Sequence, residues 1–255
     1  VFLIPILWVV IGSIKPPVEL FSYPPTWWFP LQLGSYIRAF TSPIGLRRCI
    51  FNSAFYAVVS TTISLVIALP AAYALSQSKS CFSKGFGYWV LIIRGIPPIS
   101  LIVPLYAIFA RFGVIGTRAS VIIAYTTFNL PFAIWMMRGF FAETERNLVE
   151  AAQVDGCSLF GAFVRIAVPL VLPGIMVVAI FCLIFSWNDF LYAMVLTTKR
   201  TSTMSVLIGS FYSDVNIMWG MMLACSVISV LPLLGAAFLL QRYIIRGLTL
   251  GAVKG

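Results

Sequence analysis

Long apolar runs broken by short polar stretches set the pattern of this chain. The runs are too long and continuous for the one-sided burial of a soluble helix or strand. Val1 to Ile14 is apolar until Lys15-Pro16-Pro17 stops it. At 1.5 Å per residue it covers roughly 21 Å, short of the ~30 Å hydrocarbon core, so it reads as the remaining half of a first span. No signal-peptide cleavage site follows it. Residues 15–49 hold Pro24-Pro25, Trp27-Trp28 and Pro30, a composition suited to the interface or to water. A short amphipathic helix is expected over Tyr36 to Arg48. Further spans are predicted from Asn52 to about Ala74, from Tyr88 to Phe109, up to about Met137 after a tight turn at Arg111 to Arg118, over about 167–187, and from Met218 to Leu240. The third carries Arg94, Pro97, Pro98 and Pro104. The fold class is therefore all-α, a polytopic membrane protein with six transmembrane helices, because lipid offers the backbone no partners but its own. The expected organisation is a truncated first span with an outer segment over 1–49, a core of five spans over 50–243, and a tail over 244–255. A polar loop at about 138–166 interrupts the core.

That loop has a shape that local physics predicts. Leu148 to Val154 is built largely of good helix formers, with Leu148, Ala151 and Ala152 at helical spacing. Gly156 can end the helix, since it accepts a left-handed conformation that other residues resist. Ser158 can cap a second helix running through Phe160 and Phe163 until Pro169 disturbs it. The expected product is a helical hairpin with a two-alanine flat, Ala151-Ala152, that another surface can approach closely. Glu143, Glu145, Glu150 and Asp155 gather here, four of only seven acidic residues in the chain.

Composition narrows the classes. The chain is 61% hydrophobic and 9% charged, which no soluble domain of this length matches. Its net charge of +10 falls singly between apolar runs, so membrane lipid and not nucleic acid is the expected counterpart. There is no histidine, which removes His-ligated metals and Ser-His triads. The five cysteines lie far apart, with no metal or redox spacing. No Gly-rich phosphate loop is present, so nucleotide chemistry is not expected in this chain.

Glu150-Ala151-Ala152, then Gly156, then Ile166-x-x-Pro169 resembles the "EAA loop" of the membrane subunits of ATP-binding-cassette importers. The family pattern has Leu where this chain has Val168, and many sugar importers have a Pro shortly before the Glu where this chain reads Glu143-Thr144-Glu145-Arg146-Asn147. Ile96-Pro97-Pro98, Pro104-Leu105-Tyr106, Pro131-Phe132-Ala133-Ile134-Trp135, Trp187-Asn188-Asp189-Phe190 and the tail Gly247-Leu248 with Gly251-Ala252-Val253-Lys254-Gly255 are similar to carbohydrate importers, in particular the smaller permease of maltose-type systems. The resemblance implies a permease in the bacterial or archaeal plasma membrane, with no cofactor of its own. It also implies a second permease subunit, two ATPase subunits that bind ATP and Mg, and an extracytoplasmic sugar-binding protein. Glu150, Ala151, Ala152, Asp155 and Gly156 would then couple the chain to the ATPases. Lysine and arginine divide about evenly between the two faces, so orientation follows the resemblance, with the Glu150 loop and the tail in the cytoplasm.

Polar residues in spans are candidates for a substrate path. Asn188 and Asp189 close the fifth span beside Trp187, whose face suits a sugar ring, and Asn129 lies in the fourth. Helix capping or interhelical hydrogen bonding is the alternative for these side chains. For Arg94 the simple expectation is snorkelling to the cytoplasmic interface. Among other classes, an ion-coupled secondary transporter would want carboxylates buried within spans, and only Asp189 approaches one. A membrane enzyme would need an acid–base or nucleophile constellation, and none assembles. A permease for a non-sugar solute stays open.

Overall fold

The computed structural model describes residues 3–41, 45–78, 80–143, 146–213 and 217–252. The helices in chain order are α1 (Leu3–Ile14), α2 (Gly34–Thr41), α3 (Leu46–Gln77), α4 (Cys81–Arg94), α5 (Pro98–Arg111), α6 (Arg118–Glu143), α7 (Arg146–Val154), α8 (Leu159–Ala162), α9 (Val168–Leu170), α10 (Leu172–Asn188), α11 (Leu191–Leu196), α12 (Met204–Gly209) and α13 (Trp219–Ala252). A π turn, Phe163–Ala167, joins α8 to α9.

Among the described residues three helices can cross a membrane unbroken: Leu46–Gln77, Arg118–Glu143 and Trp219–Phe238. Two bent pairs raise the number to five, and α1 is a shorter apolar helix of 12 residues. This is compatible with the six spans expected, but the third and fifth are not continuous. The third bends by 91° between Arg94 and Pro98. Consecutive prolines supply no N–H and disfavour helix in the residue before them. Gly95 and Ile96 therefore close α4 with short-range bonds, N–H to the Ile92 carbonyl (2.9 Å) and N–H to the Ile93 carbonyl (3.2 Å). The fifth bends by 75° at Val171, just ahead of Pro173. The helix expected over Tyr36 to Arg48 is likewise divided: α2 ends at Thr41, and Gly45, at φ +79°, precedes α3. At the other end α13 continues to Ala252, across the boundary expected at 243.

The core forms along α3. Ser53, Ala57, Ser60, Ser64, Ala68, Ala72 and Ser76, spaced three or four apart, are all buried. Lipid tails supply no hydrophobic drive between helices, so close approach over small side chains is what holds spans together. This seam packs chiefly on α6 and then on α10. Phe132, Met137 and Phe141 of α6 and Val178 and Cys182 of α10 complete a common cluster with Ala68 and Ala72. A second group sets α1 and α2 against α13, which α10 also touches.

Candidate functional site: a capped hairpin and an open cavity

The hairpin after α6 forms from the local signals that predicted it. Gly156 has φ +90°. The Cys157 N–H reaches back to the Ala152 carbonyl (2.9 Å) and the Gly156 N–H to the Gln153 carbonyl (3.1 Å), the paired closure that a left-handed glycine allows. The Ser158 side chain then accepts the Gly161 N–H at 3.1 Å and starts α8. Pro169 lies in the first turn of α9, and the disturbance expected from it takes the form of the π turn just before it.

The two-alanine flat is not one surface. Val149 and Ala152, three residues apart, turn inward and are 5% and 8% exposed, Val149 within the α3–α6–α10 cluster. Ala151 and Asp155 face outward. The apolar surface that the hairpin shows comes chiefly from Val154, Leu159 and Phe160, all strongly exposed, and not from the two alanines. Glu150 lies on α7. Glu145 and the terminal Val253, Lys254 and Gly255 fall outside the described residues.

The four substrate-path candidates separate into two pairs. Asn129 is fully buried and its Nδ2 donates to Ser186 Oγ at 2.8 Å, which in turn lies 3.2 Å from Ser60 Oγ. This knot ties α6, α10 and α3 together, and Asn129 Oδ1 within it has no partner among the described residues. Trp187 is 5% exposed, and its Nε1 donates to the Ser229 carbonyl (3.1 Å) and Oγ (3.2 Å) on α13. It is an anchor between helices, not an open aromatic face.

Asn188 and Asp189 do come together, on the wall of a cavity of about 320 Å³. Arg94, Phe128, Phe185 and Tyr192 line it with them. Asn188 Nδ2 donates to the Ile184 carbonyl at 2.9 Å, which leaves its Oδ1 as an acceptor toward the cavity. Asp189 Oδ2 accepts the Ala193 N–H at 3.1 Å and caps α11. The rings of Phe128 and Tyr192 stack at 5.6 Å. Arg94 does not reach away from the bundle: its guanidinium lies over the rings of Phe132 (4.2 Å) and Phe185 (5.2 Å). The cavity thus sits where two helix breaks meet, α4/α5 and α10/α11. Discontinuous spans are where transporters place their sites, so Pro97-Pro98 and the polar Asn188-Asp189 end were the signals in the sequence that pointed here.

Bent spans, an exposed capped hairpin and an open, largely apolar cavity edged by Arg94, Asn188 and Asp189 define a membrane transport component. Residues 64–250 match the family described as binding-protein-dependent transport system inner membrane component, and the chain belongs to that family. It is 36% identical over 257 residues to a probable ABC transporter permease protein of Sinorhizobium fredii, covering 100% of this chain and 91% of the relative. It is 34% identical over 259 residues to the trehalose transport system permease protein SugB of Mycobacterium tuberculosis, covering 99% and 93%. In fold it is similar to a chain in the crystal structure of a bacterial ABC transporter involved in import of the acidic polysaccharide alginate, with TM-score 0.79 and 21% identity over 95% of this chain and 91% of that one. The chain is a multi-pass inner-membrane permease subunit, a transport component and not an enzyme.

Proposed function

We propose that this chain is the permease subunit of an ATP-driven importer that moves a carbohydrate into the cytoplasm by alternating access. It pairs with a second permease and works with two ATPase subunits, which bind the ATP and Mg, and with an extracytoplasmic sugar-binding protein. The observation that carries this reading is the cavity at the two helix breaks. A sugar leaving water forfeits hydrogen bonds, each costing several kcal/mol if unreplaced. Here Arg94 supplies donors and Asn188 Oδ1 an acceptor beside the Phe128 and Tyr192 rings, an arrangement suited to a hydroxylated ring. The similarity to a trehalose permease supports the same substrate class.

Coupling runs through the hairpin on the cytoplasmic side. α7 presents Ala151, and Glu150 and Asp155 offer carboxylates to basic groups on the ATPase rim. Val154, Leu159 and Phe160 give the docking surface its apolar area. Inward packing holds α7 against α8 and the π turn, and Val149, Ala162 and Ala167 join the cluster shared with α3, α6 and α10, so a push on the hairpin reaches the helices that bear the cavity. The test is ATPase activity of the reconstituted complex, stimulated by its binding protein loaded from a panel of sugars. Stimulation by a binding protein carrying an amino acid or peptide, and by none carrying a sugar, would replace the carbohydrate reading with a non-sugar permease.

A further inference from the structure

We propose that Arg94 is a specificity-determining residue of the permease, donating hydrogen bonds to a hydroxyl of a neutral sugar ring held against Asn188; the proposal rests on the carbohydrate reading above. Arg94 is the last residue of α4, and the two prolines that follow turn the chain by 91°. Its side chain lines the cavity from that helix end while staying partly exposed. Two aromatic rings fix it there, at 4.2 and 5.2 Å. A planar guanidinium over ring faces keeps its N–H donors in its own plane, free for a ligand. Among the described residues none accepts a hydrogen bond from it.

The charge and size of the cavity choose the ligand. Arg94 and Asp189 are its two charged lining residues, of opposite sign. Asp189 is already occupied in capping α11. A ring bearing a carboxylate or sulfonate would gain Arg94 but set a second anion beside Asp189, whereas a neutral ring meets no such opposition. The volume, about 320 Å³, lies at the lower end of the ~300–1,000 Å³ of small-molecule sites and has room for a sugar ring. A hydroxyl accepting from Arg94 while its neighbour donates to Asn188 Oδ1 satisfies both groups, with a ring face on Phe128 or Phe185.

The test uses the complete complex in proteoliposomes with saturating loaded binding protein. Uptake is measured for radiolabelled neutral mono-, di- and trisaccharides and for uronate-containing disaccharides. Wild type is expected to import a neutral sugar and not the uronates. Arg94→Gln, recovered as an assembled complex, should slow that uptake about tenfold, equivalent to about 1.4 kcal/mol. Arg94→Lys should fall between. A series of monodeoxy analogues separates contact from scaffolding: one analogue should be slowed on wild type by the same factor, and lose nothing further on Arg94→Gln. Equal losses for every analogue on both proteins would leave Arg94 as a structural clamp and overturn the proposal. Import of uronates alone would overturn it while keeping the carbohydrate reading, and import of nothing in the panel would overturn both.

Discussion

Replacing Gly156 tests the hairpin at its narrowest point. At φ +90° the residue lies beyond the left-handed well near +57°, and a Cβ built there meets nothing within 4 Å. The cost of a substitution is therefore backbone strain alone, with no contribution from crowding. For an L-residue the left-handed region costs about 1–2 kcal/mol, and a β-branched one stands at the upper end. About 1 kcal/mol for Gly156→Ala lowers the closed-to-open equilibrium constant of the turn roughly fivefold, and about 2 kcal/mol for Gly156→Val roughly thirtyfold. Asparagine visits positive φ more readily, so Gly156→Asn should stay closest to wild type. The bonds at risk are Cys157 N–H to Ala152 and Gly156 N–H to Gln153, which aim α8 relative to α7. No transmembrane helix is altered, so all three variants should insert and accumulate equally. The assay is the ATPase activity of the reconstituted complex with and without loaded binding protein. Stimulation should fall in the order Gly, Asn, Ala, Val, and a Val variant stimulated as strongly as wild type would falsify the role of this turn in coupling.

The neighbouring alanines should respond in opposite ways. Ala151→Asp, on the exposed side of α7, should leave the thermal stability of the isolated permease unchanged and lose ATPase subunits on purification. Ala152→Asp should cost several kcal/mol of stability in the permease itself by burying an unpaired charge, and the reverse pattern would refute the division of this helix into two faces. Ser186→Ala takes the acceptor from Asn129 Nδ2 and should lower stability by about 1–3 kcal/mol. Pairing it with Asn129→Leu should recover part of that loss, which thermal unfolding in detergent would show. Cys157 is half-buried beside the turn, while Cys49, Cys182 and Cys225 are buried. A membrane-impermeant thiol reagent should therefore reach Cys157 only from the cytoplasmic face, and labelling in intact cells would reverse the orientation.

What was legible in the sequence was what neighbouring residues decide. The Gly156 turn and the Ser158 cap need only local chemistry, and both stand where their residue types placed them. Apolar runs marked the spans for the same reason. The breaks were harder to see, since Pro70, Pro104 and Pro131 lie inside helices that continue through them, while Pro97-Pro98 end one. Whether a proline interrupts a span depends on whether neighbouring helices re-satisfy the freed backbone groups, which no single stretch of sequence reveals. Facing was harder still. Successive helical residues point about 100° apart, so Trp187 turns to α13 while Asn188 opens to the cavity, and Ala152 turns inward while Ala151 does not. Residue types marked the stretches, and tertiary packing chose which member of each faced where.

The π turn has a consequence for how such chains can be recombined. The Val168 N–H bonds back to the Phe163 carbonyl, five residues earlier, where an α-helix would span four. The segment thus carries one supernumerary residue, equivalent to about 100° of winding and about 1.5 Å of advance. Deleting it would leave every contact residue of the hairpin in the chain but swing α8 and α7 around the axis of the following helix, pulling Val149 and Ala152 from their seats. A chimera that took this hairpin from a relative without the bulge would dock its partner in the wrong direction, however well the transplanted surface matched. Exchange should succeed only when the junction falls after Ala167, so that hairpin and bulge travel as one cassette.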